Sequence, residues 1–220
     1  MDYILSWDAG TTASKIALFN ERGEVQASAS REYKLLTPDA LSVELPAETF
    51  WNAFKEGVGE VMKKSKVKPE DVKSLALSAQ GETLLALDKN GAPLGNSIIW
   101  LDNRAQEEAE ILSKEFDQDA CSYKITGQVK IVPTWPASKI FWMKRHDKNR
   151  FGKANKFALL EDYMINKMTG ELVAEGSLLC STVFWNITTK INRAQIYYRN
   201  ESLTRHCHHS RFNHSRSYDS

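Results

Sequence analysis

The first 33 residues constrain the fold of this chain more than any other stretch. An apolar run over residues 3–7 ends in the polar sequence Asp-Ala-Gly-Thr-Thr, and a second apolar run covers residues 15–19. The sequence Asn-Glu-Arg-Gly at residues 20–23 predicts a tight hairpin, because glycine reaches positive φ at little cost. Residues 24–33 then alternate as a third strand. The chain is therefore predicted to begin as a three-stranded meander whose first turn is polar.

The later periodicity predicts an α/β fold in which helices flank a mixed sheet. Pro46-Ala47-Glu48 is typical of a helix start, and the basic run at residues 63–66 is typical of a solvated helix end. The predicted order along the chain is strands, then a helix, then strands and helices in alternation, which indicates such a mixed sheet. The further predicted elements are strands over residues 72–78, 83–87 and 97–100 and helices over residues 104–116, 138–145 and 160–168.

Composition excludes several classes of protein. The 220 residues are 42% hydrophobic, which is enough for a sizeable core. With 29 basic and 28 acidic residues the net charge is +1, so no nucleic-acid or membrane partner is expected. No apolar run approaches the roughly 18 residues of a membrane helix, and the N-terminus has no signal-peptide pattern. Three scattered cysteines favour free thiols in the cytoplasm over a disulfide framework.

The polar turn between the first two strands has the chemistry of a phosphate-binding cradle. Backbone N–H groups and the hydroxyls of Thr11 and Thr12 can hold phosphate oxygens, and Lys15 adds positive charge. Asp8 cannot bind phosphate itself, but it can hold Mg²⁺ or its waters. Gly10 would allow close approach of the backbone to a ligand. An ordinary hairpin with a polar tip is the alternative interpretation of the same residues.

Four separate motifs, in order, resemble those of the FGGY carbohydrate kinases. DAGTTASK at residues 8–15 resembles the first phosphate loop of actin-like, sugar-kinase and Hsp70-type ATPases. SAQGETLLALDKNGAPLGNSIIWLDNRA at residues 78–105 looks like the sugar-facing half of the FGGY family. SKIFWMKRH at residues 138–146 resembles the family's K-x-x-W helix, and LLEDYMINKMTGE at residues 159–171 resembles its D-Y…T-G segment. The resemblance covers about residues 3–190.

The resemblance implies a ribonuclease H-like, actin-like ATPase domain and ATP-dependent phosphorylation of a sugar or polyol hydroxyl. It implies Mg²⁺ and ATP as cofactors and a small-molecule substrate, and it leaves open whether the chain forms a homo-oligomer. The phosphate and metal side would consist of Asp8, Gly10, Thr11, Thr12 and Lys15. The substrate side would consist of Gln80, Gly81, Glu82, Trp100, Asp102, Arg104 and Thr134.

Two of these predicted substrate residues could instead have a purely structural role, and the residue at position 81 narrows the class of substrate. Trp100 could be a core aromatic, and Arg104 could simply pair with Asp102 at a helix start. Gly81 stands where glycerol kinases of the family carry arginine, so glycerol is disfavoured. Xylulokinases usually carry Met-His where this chain has Gly81-Glu82, so a standard xylulokinase is disfavoured as well. A ketose, a sugar acid or a polyol remains as the substrate class.

The last 30 residues differ in character from the rest. Residues 1–190 are interpreted as an N-terminal kinase domain that is incomplete at its C-terminal end, and residues 191–220 as a disordered or out-of-frame tail. The tail contains His206, His208, His209 and His214 without helical or strand periodicity. These histidines could be interpreted as a metal-binding cluster, but a frame change near residue 190 is the preferred explanation of the tail.

The family's general base is an aspartate of the second domain, and no candidate for it follows residue 190. No catalytic residue is therefore assigned in this chain, and weak or no kinase activity is expected of it alone. An inactive fragment or a sugar-binding module is the alternative function. A ribonuclease H-like nuclease ranks last, because it would need an acid where the chain has Ser78-Ala79-Gln80.

Overall fold

A mixed four-stranded sheet carries the predicted phosphate loop. The computed structural model of the chain describes residues 1–116, 121–188 and 191–192. Strands β1 (Tyr3–Ala9), β2 (Ala13–Asn20) and β3 (Val25–Glu32) form the predicted antiparallel meander, with Gly23 at φ +78° in the hairpin. Strand β5 (Val72–Ala79) pairs in parallel with β1, which gives the order β3-β2-β1-β5. The predicted α/β class with a mixed sheet is confirmed.

Helix α1 (Ala47–Ser65) covers one face of this sheet and forms the main core with it. Its buried residues recur at helical spacing, and the helix ends at the basic run, as the sequence predicts. Trp7 of β1 stacks on Phe54 of α1 with 4.1 Å between ring centroids. The Trp7 indole N–H donates to the Ser14 hydroxyl at 2.6 Å, so this large buried ring leaves no polar group unpaired. Burial of one such side chain contributes about 1.5–3 kcal/mol.

A second, antiparallel sheet supports the predicted substrate residues. Its order is β4-β7-β6-β8, built from β4 (Glu44–Leu45), β6 (Leu84–Leu87), β7 (Ser97–Ile98) and β8 (Lys156–Leu159). The sequence prediction missed β4 and β8 and gave β7 two residues too many at its end. β4 and β7 are only two residues long, and β8 leads directly into a helix. Such short pairings leave no alternating pattern in the sequence.

The helices after β7 lie around this second sheet. Helix α4 (Pro136–His146) packs against β6 and β7 through Ile140 and Met143. The predicted helices over residues 104–116, 138–145 and 160–168 are confirmed with shifts of two residues or fewer, as α2, α4 and α6. The described set comprises α2 (Gln106–Phe116), α3 (Cys121–Thr126), α4 (Pro136–His146), α5 (Lys148–Lys153), α6 (Leu160–Thr169) and α7 (Gly176–Cys180).

Two short strands, β9 (Trp185–Asn186) and β10 (Ile191–Asn192), pair at the end of the described chain. The expectations for the tail, including the histidine cluster, lie outside the described residues. Of the cysteines, Cys180 lies in the described part with its side chain, and it is free. Among the described helices, none has both the length and the apolar character needed to cross a membrane.

Candidate functional site

The end of β1 brings an acid and a lysine to the same edge of the first sheet. Asp8 lies opposite Lys15 in β2 and beside Ser78 in β5. The lysine Nζ is 4.0 Å from an Asp8 carboxylate oxygen, and the two side chains are 68% and 51% exposed. An exposed pair at this distance stabilises the fold little. Both groups are therefore accessible to a ligand above the sheet edge.

The turn after Asp8 is closed too tightly to accept a side chain at Gly10. The Gly10 N–H donates to the Ala13 carbonyl at 3.1 Å, and a Cβ on Gly10 would lie 2.9 Å from that same oxygen. Tyr33, just after β3, donates its hydroxyl to the Gly10 carbonyl, and its own N–H donates to the Thr12 carbonyl at 3.0 Å. Burial raises the pKa of the Tyr33 hydroxyl, and the Asp8 carboxylate raises it further. Tyr33 thus stays a neutral donor that holds this turn.

The chain leaves β5 directly beside this turn. The Gln80 N–H donates to the Ala9 carbonyl at 3.0 Å, which places residues 80–82 next to the end of β1. Both polar atoms of the Gln80 side chain are buried, and no hydrogen-bond partner for them exists among the described residues. A buried amide without partners is rare in folded proteins and marks a place where a ligand or water can complete the bonding.

Glu82 has an unusual backbone and an unusual carboxyl group. Its φ is +63°, in the left-handed region that non-glycine residues seldom occupy. Burial raises the pKa of the Glu82 carboxyl, while the Lys139 ammonium and a hydrogen bond with Ser181 oppose that rise. Strained backbone of this kind concentrates at ligand-binding sites, where the surrounding structure enforces it.

Trp100 connects the two predicted halves of the site. Its indole N–H donates to the Thr11 hydroxyl at 2.8 Å, across 89 positions of sequence. Its backbone N–H donates to the Thr83 hydroxyl at 3.2 Å. The side chain is 38% exposed, so Trp100 is not the core aromatic that was one sequence interpretation. A partly exposed indole beside the phosphate turn can offer its face to the C–H side of a sugar.

Asp102 and Arg104 form an enclosed ion pair behind Trp100. Asp102 is 0% exposed and accepts from the Val43 N–H at 2.7 Å and from the Arg104 guanidinium at 2.8–3.0 Å. Arg104 also donates to Glu44 at 2.7 Å and lies over the Trp142 ring at 4.9 Å. The predicted direct contact of Asp102 and Arg104 with substrate has no support in this geometry. The alternative interpretation, a pair at a helix start, agrees with the observed contacts. The pair fixes the segment that carries Trp100.

Thr134 lies in the turn that precedes α4, and α4 itself reaches the site through a different residue. The Lys139 ammonium, 0% exposed, donates to the carbonyl oxygens of Ile99 at 2.8 Å and Glu82 at 3.3 Å. Sequence analysis noted the K-x-x-W motif here but assigned Lys139 no role. The available signal was a lysine on the helix face that also carries Ile140 and Met143. Tyr33 was missed as well, because nothing in the sequence connects it to Gly10.

The residues around the polar turn fit a magnesium–phosphate group. A carboxylate with half its surface exposed, next to hydroxyls and a lysine, supplies the hard oxygen ligands and the countercharge that Mg²⁺ and phosphate require. Gly10 is required by the turn itself, since a Cβ there would meet the Ala13 carbonyl oxygen at 2.9 Å. By contrast, the cluster of Glu107, Glu108 and His146 is occupied by an arginine, since Arg145 donates to both carboxylates.

Comparisons with known proteins agree on one family. The family model of the "FGGY family of carbohydrate kinases, N-terminal domain" matches residues 3–197. A glycerol kinase of Janthinobacterium sp. (strain Marseille) is 29% identical over 192 residues, which are 85% of this chain and 38% of that protein. A gluconokinase of Bacillus subtilis is 31% identical over 185 residues, 84% of this chain and 35% of that protein.

A solved structure shows the same fold. The crystal structure of ligand-bound xylulose kinase from Lactobacillus acidophilus superposes with a TM-score of 0.81 at 27% identity and covers 89% of this chain and 39% of that one. The chain therefore spans less than two fifths of the length of these relatives. The three relatives carry the names of three different substrates at similar identity, so overall similarity does not select one.

Proposed function

We propose, since this chain belongs to the FGGY family of carbohydrate kinases, that it supplies the phosphate loop and the sugar-binding half of an ATP-dependent kinase acting on a hydroxyl of a sugar, sugar acid or polyol. The observation that carries the proposal is the 2.8 Å hydrogen bond from the Trp100 indole to the Thr11 hydroxyl. It joins the predicted phosphate turn to the predicted sugar wall, formed by residues 80–82 and Trp100. A sugar lying on Trp100 is therefore adjacent to phosphates above Thr11.

On the phosphate side, Asp8 would hold Mg²⁺ or its waters, while Thr11, Thr12 and Lys15 contact phosphate oxygens. When bound, the metal ion neutralises phosphate charge, which phosphoryl transfer requires. The 4.0 Å separation between Lys15 and Asp8 lets each contact its own ligand, the lysine an anion and the aspartate a cation. The Gly10 turn, held by Tyr33, gives the backbone amides a fixed direction.

On the sugar side, Glu82 is the principal recognition group. A carboxylate can accept two hydroxyl hydrogen bonds at once, which matches adjacent hydroxyls of a sugar or polyol. The Gln80 amide, with both polar atoms buried and without partners among the described residues, can donate to one substrate oxygen and accept from another. Asp102 and Arg104 act indirectly, by fixing the segment of Trp100.

Position 81 supports a substrate other than glycerol. Gly81 supplies no donor beside Glu82, where the glycerol kinases of the family carry arginine. A Cβ at this position would meet its nearest neighbour, Leu178, at an ordinary 3.7 Å, and Gly81 is not among the glycines with positive φ. The glycine is thus not demanded by the backbone. A sugar acid or ketose that fills this space with its own polar groups is favoured.

Calorimetry of the full chain with gluconate, D-xylulose and glycerol, each with and without MgADP, tests the proposal. Binding of one sugar, with Glu82→Gln weakening it and Glu107→Gln leaving it unchanged, is the expected result. Glu107 is a suitable control because its carboxylate pairs with Arg145 on an exposed surface. If no sugar or polyol binds and MgADP produces no heat, the sugar-site proposal is wrong.

A second candidate function is a sugar-binding module without catalysis. It needs only the sugar-side residues of this chain, among them Gln80, whose buried side-chain amide has no hydrogen-bond partner among the described residues. A coupled assay for ADP separates the two candidates: sugar-dependent ADP production shows a kinase, and sugar binding without ADP production shows a binding module. The variant Gly81→Arg should increase affinity for glycerol relative to gluconate if position 81 selects the substrate.

A further inference from the structure

Lys139 is a charged residue in an apolar environment. It lies on the buried face of α4, between Ala137 and Ile140, and is 0% exposed. Removing an ammonium group from water is costly unless it is paired and hydrogen-bonded. Its described hydrogen bonds go to two backbone carbonyls, of Ile99 at 2.8 Å and Glu82 at 3.3 Å. Core packing alone does not require a lysine at such a position.

The two carbonyls belong to the two segments that form the sugar wall. Ile99 directly precedes Trp100, and Glu82 itself carries the recognition carboxylate. The left-handed backbone of Glu82 persists only if its surroundings hold it. Thr83 ties the same two segments together, since its hydroxyl accepts from the Trp100 N–H at 3.2 Å. The Lys139 ammonium group, which lies on a third element (α4), therefore holds both segments by hydrogen bonds.

We propose that Lys139 is a positioning residue of the sugar site, which fixes the Glu82 backbone and the Trp100 indole in their binding geometry and supplies the positive charge behind the Glu82 carboxylate. The role of Lys139 in sugar binding rests on the proposed function, whereas its role in fixing the Glu82 backbone and the Trp100 indole does not. Lys139 contacts no substrate atom, because it is enclosed on the protein side of the wall.

The charges that face Lys139 come from two segments, one with Asp102 and Arg104 and the other with Glu82. Asp102 and Glu82 favour its ammonium form, whereas Arg104 and burial disfavour it, and burial is the largest effect, so the pKa of Lys139 falls to about 7. In return, the Lys139 cation lowers the pKa of the Glu82 carboxyl against the rise caused by burial. At pH 6, below the pKa of Lys139, the ammonium is mostly charged and favours the carboxylate form of Glu82, which accepts sugar hydroxyls.

The test uses the full chain with Lys139→Met, which shortens the side chain by only one atom but removes every donor. Lys139→Gln is made alongside, since it keeps a donor without the charge. Lys144→Met is the control, because it makes the same substitution on the same helix at an exposed position. The chain is labelled with 5-fluorotryptophan, and the Trp100 ¹⁹F resonance is identified by its loss in Trp100→Phe.

The expected result is a displaced or broadened Trp100 resonance in Lys139→Met, a smaller change in Lys139→Gln, and no change in Lys144→Met. An unchanged resonance in Lys139→Met, or an equal change in Lys144→Met, would overturn the positioning role. If Lys139→Met shows no cooperative melt, Lys139→Gln decides: a displaced Trp100 resonance supports the proposal and an unchanged one refutes it.

Calorimetry at pH 6 tests the link to sugar. The sugar that the wild-type chain binds best should bind Lys139→Met at least about tenfold more weakly, as expected for loss of charged hydrogen bonds. It should bind Lys144→Met within about twofold of wild type. Equal affinity for Lys139→Met and wild type would refute the role in binding. Absence of sugar binding by the wild type would instead refute the proposed function, while the ¹⁹F experiment would still decide the positioning role.

Discussion

The enclosed pair of Asp102 and Arg104 gives the sharpest prediction about stability. Asp102→Ala removes a 0% exposed carboxylate that accepts from the Val43 N–H and from the Arg104 guanidinium. Breaking a buried ion pair by removing one partner costs about 3–5 kcal/mol, because the other charge is left uncompensated. Arg104 retains Glu44 at 2.7 Å and the Trp142 ring, which reduces that part of the loss. The unpaired Val43 N–H adds about 1–3 kcal/mol.

Taken together, these effects predict a loss of about 3–4 kcal/mol in the free energy of unfolding. For a chain of this size that corresponds to a decrease of roughly 6–16 °C in Tm. Urea denaturation followed by tryptophan fluorescence, together with calorimetric melting, measures both quantities. Glu107→Ala is the matched control, because it removes a carboxylate from an exposed arginine pair and should change stability little.

A double-mutant cycle locates the effect in the pair itself. Arg104→Met in the Asp102→Ala background should cost less than Arg104→Met in the wild-type chain, since the charge that it removes has already lost its partner. A loss below about 1 kcal/mol for Asp102→Ala, or additive losses in the cycle, would refute the assignment of Asp102 as a positioning residue. Direct substrate contact by Asp102 would then have to be reconsidered.

Three further predictions concern the site and α6. Gly10→Ala should abolish heat from MgADP binding, because its Cβ would lie 2.9 Å from the Ala13 carbonyl; unchanged MgADP binding would contradict the tight turn. Trp100→Phe should weaken sugar binding about two- to tenfold by removing the hydrogen bond to Thr11, and equal affinity in calorimetry would count against that bond. Burial raises the pKa of Asp162 to about 6, so its contribution to stability is fully present below its unfolded pKa near 3.8 and is lost as the pH rises through 6. As the pH rises from 4 to 7, the free energy of unfolding of Asp162→Asn should therefore rise relative to that of wild type, as measured by urea denaturation. A difference that stays constant over this range would refute the raised pKa.

The local patterns of the sequence determined much of the fold. The meander, the long helix α1 with its basic end, and the helices α2, α4 and α6 follow from turn chemistry and from hydrophobic periodicity, which are properties of neighbouring residues. The motif order placed the chain in its family, and the family match confirms it. The two-residue strands β4 and β7 could not be delimited, because their pairing is decided by distant partners.

The candidate site divides along the same line. The residue types at Asp8, Gly10 and Thr11 indicated phosphate chemistry, because a strand, a tight turn and a strand bring them together within a few residues. Only the tertiary structure showed that the Trp100 indole donates a hydrogen bond to Thr11 and that the Asp102 carboxylate is buried. It also brought Lys139 from a third segment under Glu82. Such contacts join residues tens of positions apart, and burial, which decides whether a charged group meets substrate or supports it, is a property of the packed chain rather than of the residue.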